Sequence, residues 1–361
     1  MQVHAHLRIL TINPGSTSTK IAIFENTKQV FLKNIKHTTE ELSQFSNIIE
    51  QYNFRKQKII DELNQSGIES DTVKIIMGRG GMIKPLASGV YEINDAMVHD
   101  LQIGYMGEHA SNLGGLIAID IARSIKGAKA YIADPVVVDE LCPLARISGH
   151  PDFERISIFH ALNQKAIART YANQIGRTYE ELNLIIAHLG GGISVSAHNH
   201  GQVIDTNNAL NGDGPFSPER SGGLPVAAIV KCAFSGKYTE AEMLKMITGK
   251  GGLTAYLDTN DAYAVEQAVL SGDKQAKLIL EALAYQVAKD IGAMSTVLEG
   301  QVNAILLTGG MAHGKFIVDT IIKRVTHISQ IRVFPGEDEM AALALNGLMV
   351  AEKKIEVKKY K

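Results

Sequence analysis

The chain has 361 residues, 45% of them hydrophobic and 20% charged, with a formal net charge of −2. That is ordinary for a globular protein and too long for one compact core, so two domains are expected. A nucleic-acid binder would carry a basic surplus, and only 353–361 is locally basic; no apolar run reaches the length of a bilayer span, the run 224–234 being interrupted by Lys231.

Taken in order, 7–30 reads LRILTINPGSTSTKIAIFENTKQV: an apolar strand ending at Asn13, a turn holding Gly15, and an alternating strand that closes on Glu25 and Asn26. Residues 46–64 place Ile48, Ile49, Tyr52, Ile59, Ile60 and Leu63 at helical spacing, with Gly67 as the stop. A buried strand at 73–77 runs into Gly78, Arg79, Gly80 and Gly81. Asp95 is expected to cap a helix reaching Ile103, and 108–125 predicts another, weakened by Gly114 and Gly115. A short strand at 130–133 meets Asp134 and Pro135, and a helix at 160–175 is stopped by Gly176.

The strand–turn–strand pattern then returns at 184–203, LIIAHLGGGISVSAHNHGQV, with His188 at the strand end. Helical periodicity covers 273–298, a strand covers 304–307, and Thr308, Gly309 and Gly310 lead into a helix ending near Val325. A strand at 331–334 and a helix at 335–349 complete the pattern. One unit occurring twice, with no linker rich in Pro, Gly or Ser, predicts two similar α/β halves facing a cleft, with the boundary between 150 and 180. Cys142 and Cys232 show no metal-ligand spacing, so neither a structural zinc site nor a disulfide framework is expected. The start MQVHAHLRIL lacks the regions of a signal peptide, which points to a cytoplasmic protein.

The first turn, NPGSTSTK, gathers one glycine, four hydroxyls, an amide and the cation Lys20 within eight positions. Exposed N–H groups and hydroxyls there suit phosphate oxygens. The Walker spacing is absent, and a solvated hairpin turn fits this motif by itself equally well. The second turn, His188-Leu189-Gly190-Gly191-Gly192, lets a ligand approach the backbone closely, with a tight strand turn as the alternative. Gly309 and Gly310 allow a flat ring or ribose to lie on the backbone, or form an ordinary βα turn. Without GxGxxG, a Rossmann dinucleotide site is disfavoured. Arg79 in MGRGG and Arg220 in FSPERSGG suit bidentate capture of carboxylate or phosphate. Asp134 follows a strand, where reactive carboxylates project or a turn begins; His160 opens a helix, as cap, core residue or reacting group. Glu337, Asp338 and Glu339 precede the last helix, where acidic groups favour the N-terminus and a carboxylate can help hold Mg²⁺.

The segments NPGSTSTKIAIFE, GRGG, IADP with VVVDEL, SIFHALNQKAIAR, AHLGGGISVSAH, DTNNALNGDGPFSPERSGGLP, LLTGGMA and FPGEDEMAALA run in order over nearly the whole chain. They resemble the acetate and sugar kinase/Hsp70/actin superfamily, and within it the short-chain carboxylate kinases of the acetokinase family. The resemblance implies an α/β, two-domain actin-like ATPase fold of duplicated ribonuclease H-like domains with a nucleotide cleft between them. Residues 1–160, joined by a C-terminal helix at 340–361, would form one domain, and residues 161–339 the nucleotide-binding domain. It implies reversible phosphoryl transfer between ATP and the carboxylate of butyrate or a similar short acid. ATP/ADP and Mg²⁺ are the implied cofactors. No nucleic-acid or membrane partner is implied, and a homo-oligomer, dimer or higher, is expected.

Acetate kinases carry NxGSSSxK, matched here by Asn13, Gly15, Ser16, Ser18 and Lys20. Their GHR and TRSG arginines are matched by Arg79 and Arg220, their strand-end aspartate by Asp134, and the histidines of GFHG and HxGNG by His160 and His188. Their metal-associated glutamate falls in PGEDEM, on Asp338 or Glu339, with Asn13 beside the metal. By this resemblance Arg79 orients the acid, Arg220 and His160 hold the transferring oxygens, and Asp134 helps place Mg²⁺. Gly190, Gly191 and Gly192 approach the nucleotide phosphates, and Gly309 and Gly310 the adenosine. Departures at 207–225 and after Asp134 favour a longer or branched acyl chain over acetate. Kinases of isobutyrate, propionate or acetate compete with this reading, as does an actin- or Hsp70-like ATPase.

Overall fold

The computed structural model describes residues 7–361; residues 1–6, which open the stretch read as lacking a leader, lie outside the described residues. The chain divides into two compact units, Met1–Val138 with Asp338–Lys361, and Asp139–Glu337.

In the first unit the opening hairpin is β1 (Arg8–Pro14) and β2 (Ser18–Glu25), extended by β3 (Lys28–Lys36). Strands β4 (Val73–Arg79), β5 (Val90–Glu92) and β6 (Lys129–Ala133) follow. β1 and β4 are buried on both faces, as strands covered by helices must be. On one face Ile9, Ile75 and Met77 meet Gly347 of the helix Glu339–Ala351. On the other, the backbone of the helix Asn112–Ser124 lies directly on β4. A Cβ on Gly78 would strike the Gly114 carbonyl, and one on Gly114 would strike that of Arg79. The glycines that weaken this helix by propensity are therefore what lets it approach the strand. Its start is Asn112 rather than 108, and the helix Asp95–Ile103 is capped by Asn94, whose side chain accepts from Met97 N, rather than by Asp95.

In the second unit β7 (Asn183–Leu189), β8 (Ile193–Asn199), β9 (Gln202–Thr206), β10 (Ala304–Gly309) and β11 (Ile331–Pro335) form a sheet in the order β11-β10-β7-β8-β9. Alternation along β7 splits its side chains between two cores. Ile185 packs with Val195, Leu283, Val287 and Ile305, and Leu184 and Ile186 pack with Tyr171 and Leu306. The helices Lys274–Val297 and Ala161–Gln174 supply these covers.

The chain then returns to the first unit through the helix Glu339–Ala351 and β12 (Val357–Lys359), which pairs parallel with β5. Among the described residues the first sheet thus runs β12-β5-β6-β4-β1-β2-β3. Both sheets contain the same core: a strand, its antiparallel hairpin partner, a third antiparallel strand, and a parallel neighbour on the other side. The duplication is real at the level of topology.

Between the sheets' sequences the division falls at Val138, earlier than the expected boundary at residue 160. Residues 139–160 belong with the second unit because their polar groups are met there. Cys142 N–H donates to Ile204 O at 2.9 Å, Arg155 donates to Asp205 and to Thr206 O at 2.9 Å each, and Ile158 O accepts from Ala209 N at 2.9 Å. Asp338 and Glu339 fall in the first unit, just ahead of the expected start at 340.

Candidate active site

In the first unit three neighbouring parallel strands, β1, β4 and β6, end at one edge, and a polar residue stands at or next to each end: Asn13, Arg79 and Asp134. Open α/β sheets bind ligands at such carboxyl edges. Asn13, only 8% exposed, donates from Nδ2 to Glu339 Oε2 at 2.6 Å. The Arg79 guanidinium donates to the same Glu339 oxygen at 2.5 Å and to Asn13 Oδ1 at 3.3 Å. Sequence alone left Asp338 and Glu339 equivalent. Here Asp338 is the cap of the last helix, its carboxylate accepting from Ala341 N at 2.8 Å, and Glu339 is the residue turned into the strand edge. Asp134 sits at φ +38, a conformation that non-glycine residues rarely adopt, and is locked by a reciprocal pair with Gly89: Gly89 N donates to Oδ1 at 2.7 Å, and Asp134 N donates to Gly89 O at 3.1 Å.

The turn at 15–17 is closed by Gly15 N donating to Ser18 O at 2.7 Å. Ser16, Thr17 and Lys20 are exposed, and Lys20 lies directly across from Asn13 in the ladder, on the same face of the sheet. Behind the turn lies Arg55, which nothing in its helical neighbourhood marks as special. It is fully buried and donates to Gly15 O, Ser16 O, Ser18 O and Thr19 Oγ1.

In the second unit β7 delivers His188 to the start of the triple-glycine turn. Its ring is buried and stacks on His160 with centroids 3.8 Å apart and planes 9° from parallel. His188 Nδ1 meets Asn163 Oδ1 at 2.8 Å, and Nε2 lies 3.3 Å from Glu337 Oε2. His160 stands at the N-cap position of the helix Ala161–Gln174 without a capping side-chain bond, and its Nδ1 meets Ser194 Oγ at 2.8 Å. A buried polar chain continues from there. Gln164 donates to Ser194 Oγ and accepts from His198 Nε2, and Tyr179 OH meets His198 Nδ1 at 2.6 Å. Complete burial holds the His198 pKa well below its ordinary value, so the ring is neutral: Nε2–H donates to Gln164, and Nδ1 accepts the hydrogen bond of the tyrosine hydroxyl. Asn163, Gln164 and Ser194 are neighbours of the two histidines that motif reading did not single out, and Glu337, read there as one of three carboxylates near a metal, stands beside His188. The one available signal was spacing, since His160 and Gln164 are four apart on one helix face.

Arg220 reaches the same turn. Its guanidinium lies where a Cβ on Gly192 would be, which is why that position is glycine, and it donates to Ala209 O at 2.6 Å. Ser217 Oγ donates to Gly191 O at 2.5 Å and ties the loop to the turn. Burial lowers the Arg220 pKa, and its Nε is a buried donor with no partner among the described residues. Such a donor suits an anionic oxygen.

Gly190, Gly191 and Gly310 line a cavity of about 560 Å³, with Tyr263, Glu266 and Glu337 among its other walls. That volume is in the range of small-molecule sites. Gly192 and Gly309 do not line it. Gly192 is taken up by Arg220, and Gly309, at φ +93, lies against the backbone of Leu189. Among the described residues no three His, Cys, Asp or Glu side chains converge as a metal centre. Glu339 Oε2 instead accepts from Asn13 Nδ2 and from Arg79, while Asn13 Oδ1 accepts from Arg79; the carboxylate and the amide oxygen are hard donors of the kind Mg²⁺ takes alongside phosphate and water.

The model of the acetokinase family matches residues 155–334. Butyrate kinase 2 of Clostridium acetobutylicum is 53% identical over 354 residues, covering 98% of this chain and 99% of that protein. Butyrate kinase 1 of the same organism is 51% identical over the same coverage. Among solved structures, Porphyromonas gingivalis acetate kinase superposes with a TM-score of 0.74 at 16% identity, covering 96% of this chain and all of that one. A propionate kinase of Francisella tularensis gives 0.71 at 17% identity, covering 94% and 98%. At those identities the two structures speak for the fold, the two-domain α/β architecture expected from the sequence.

Proposed function

The chain belongs to the acetokinase family, and from that premise we propose that it transfers the γ-phosphoryl group of ATP to the carboxylate of butyrate, reversibly, giving butyryl phosphate and ADP. The observation that carries this reading is identity above half over nearly the full length of a butyrate kinase. A carboxylate is already a nucleophile at neutral pH, so the protein must align the reactants and offset charge rather than supply a strong base.

Arg79 orients the acid, exchanging the Glu339 oxygen it holds for the substrate's carboxylate. Arg220, through its unpartnered Nε, and His160 receive the oxygens of the transferring group. Gly190 and Gly191 admit the nucleotide phosphates, with His188 beneath them, and Gly310 admits the nucleoside. Of the five glycines first assigned to the nucleotide, Gly192 and Gly309 serve by letting Arg220 and Leu189 pack. Asn13, Gly15, Ser16, Ser18 and Lys20 hold phosphoryl oxygens. Glu339 and Asn13 would hold Mg²⁺, Asp134 would help to place it, and Asp338 is left to cap the helix. Mg²⁺ supplies charge neutralisation on the phosphates.

No helix among the described residues is long and apolar enough to cross a membrane, and both cysteines are free thiols; we place the protein in the cytoplasm. The helix Val226–Ala233 buries none of its residues and, with Phe234 that follows it, exposes Val226, Val230 and Phe234 at a four-residue spacing, which supports a homo-oligomer. The test of the reaction is hydroxylamine trapping with ATP, Mg²⁺ and straight and branched acids of two to six carbons. Butyrate is expected to give the highest kcat/KM. A better rate with isobutyrate, propionate or acetate transfers the assignment to that acid, and no hydroxamate from any acid ends it.

A further inference from the structure

Arg55 is the most completely buried cation of the first unit, and its bonding is one-sided. Nε and NH2 both donate to Gln51 Oε1, at 3.0 and 2.8 Å, which fixes the plane of the guanidinium. NH1 donates to Gly15 O at 2.7 Å, Ser18 O at 3.1 Å and Thr19 Oγ1 at 3.2 Å, and NH2 to Ser16 O at 3.0 Å. Thr19 Oγ1 is held in turn by His37 Nε2 at 2.9 Å, and His37 N donates to Thr17 O at 2.9 Å. Every carbonyl of the turn therefore points inward.

In a trans peptide the carbonyl of one residue and the N–H of the next point in opposite directions. Drawing the Gly15 and Ser16 carbonyls inward thus turns the Ser16 and Thr17 N–H groups outward, to the exposed side, as the concave donor pair that binds anions. The charge is equally unusual. All the groups Arg55 touches are neutral, and burial alone pulls its pKa down to about 10. An isolated buried cation is unfavourable unless something negative answers it.

We propose that Arg55 is the positioning residue of the first turn, setting its peptide planes so that the Ser16 and Thr17 amides receive a phosphoryl oxygen, with the uncompensated guanidinium charge behind that anion. This rests on the reading of 13–20 as a phosphoryl-binding turn. Two substitutions separate positioning from mere bracing. Arg55→Lys keeps the charge, but a single ammonium cannot span the carbonyls the guanidinium spans. Gln51→Glu keeps the acceptor and adds a counter-charge, so it preserves or strengthens the brace while cancelling the field.

The experiment follows the amide resonances of Ser16 and Thr17 in the full ¹⁵N-labelled chain during titration with inorganic phosphate, beside kcat and KM per folded molecule. In the wild type both amides are expected to shift. In Arg55→Lys, kcat is expected to fall about 10²-fold, with KM for the acid unchanged and the phosphate response weakened. In Gln51→Glu the thermal midpoint is expected to hold or rise, while phosphate affinity falls about tenfold. If Arg55→Lys fails to fold, Gln51→Glu decides by itself. Phosphate that moves neither amide in the wild type overturns the assignment of the turn, and this proposal with it. Wild-type shifts and wild-type kcat in the folded variants overturn the role of Arg55 alone.

Discussion

Arg220 shows how much of a residue's role depends on what surrounds it. A guanidinium that displaces a potential Cβ at Gly192, bonds one backbone carbonyl and keeps a buried Nε with no partner among the described residues carries a donor suited to an anion. Arg220→Ala is therefore expected to lower kcat by about 10²- to 10³-fold with little change in KM for ATP, read by steady-state kinetics in both directions. Near wild-type turnover would remove it from the reaction. Its position was legible in the motif FSPERSGG, as were Asn13, Arg79 and His188 in theirs. Arg55 was not, because a lone arginine on a helix reads as solvated until the carbonyls it serves, some 40 residues earlier, are brought to it. Glu339 could not be told from Asp338 for a similar reason. One caps the last helix and the other turns to Asn13 and Arg79, and the choice is made by where the helix begins.

Helices and strands were legible where their pattern was long or repeated. The two glycine hairpins and the 24-residue helix Lys274–Val297 follow directly from periodicity. The three-residue strands β5 and β12 carry no pattern and are defined by pairing at a distance, β5 with β6 and β12 with β5. Caps are finer still. Asn94, not Asp95, accepts from Met97 N at 3.0 Å. Asn94→Ala is expected to destabilise the first unit by roughly 1 kcal/mol in urea unfolding, whereas Asp95→Ala should do much less. Equal effects would refute the cap assignment. The helix Val226–Ala233 supplies an element-scale test of assembly. Phe234→Asp, at a position 89% exposed, is expected to shift sedimentation toward a smaller species without loss of fold. An unchanged profile would remove this helix from any contact between copies of the chain.

For the molecule as a whole, each unit holds a histidine neutral by burial, His37 in the first, down to about 4, and His198 in the second. Their folded pKa values lie below the ordinary 6.5, so on acidification the unfolded chain takes up protons that the folded one excludes. Stability is thus complete above about pH 6.5 and falls as pH drops toward 4. Unfolding midpoints measured between pH 7.5 and 4.5 should decline, and a flat profile would contradict the burial of both rings. Two-domain α/β architecture was legible from the doubled hairpin. The position of the division was not, because residues 139–160 are assigned by hydrogen bonds to a strand more than 40 residues ahead.

The return of the chain to its first sheet has a consequence for biogenesis. Residues 338–361 emerge from the ribosome after residues 139–337, yet they roof the first sheet with a helix and append its outermost strand. The half that is translated first must therefore wait, partly uncovered, while the contiguous half behind it is free to mature. Cotranslational order is thereby inverted relative to sequence order, and a nascent chain stalled before residue 338 should expose the apolar surface of β1 and β4 to chaperones.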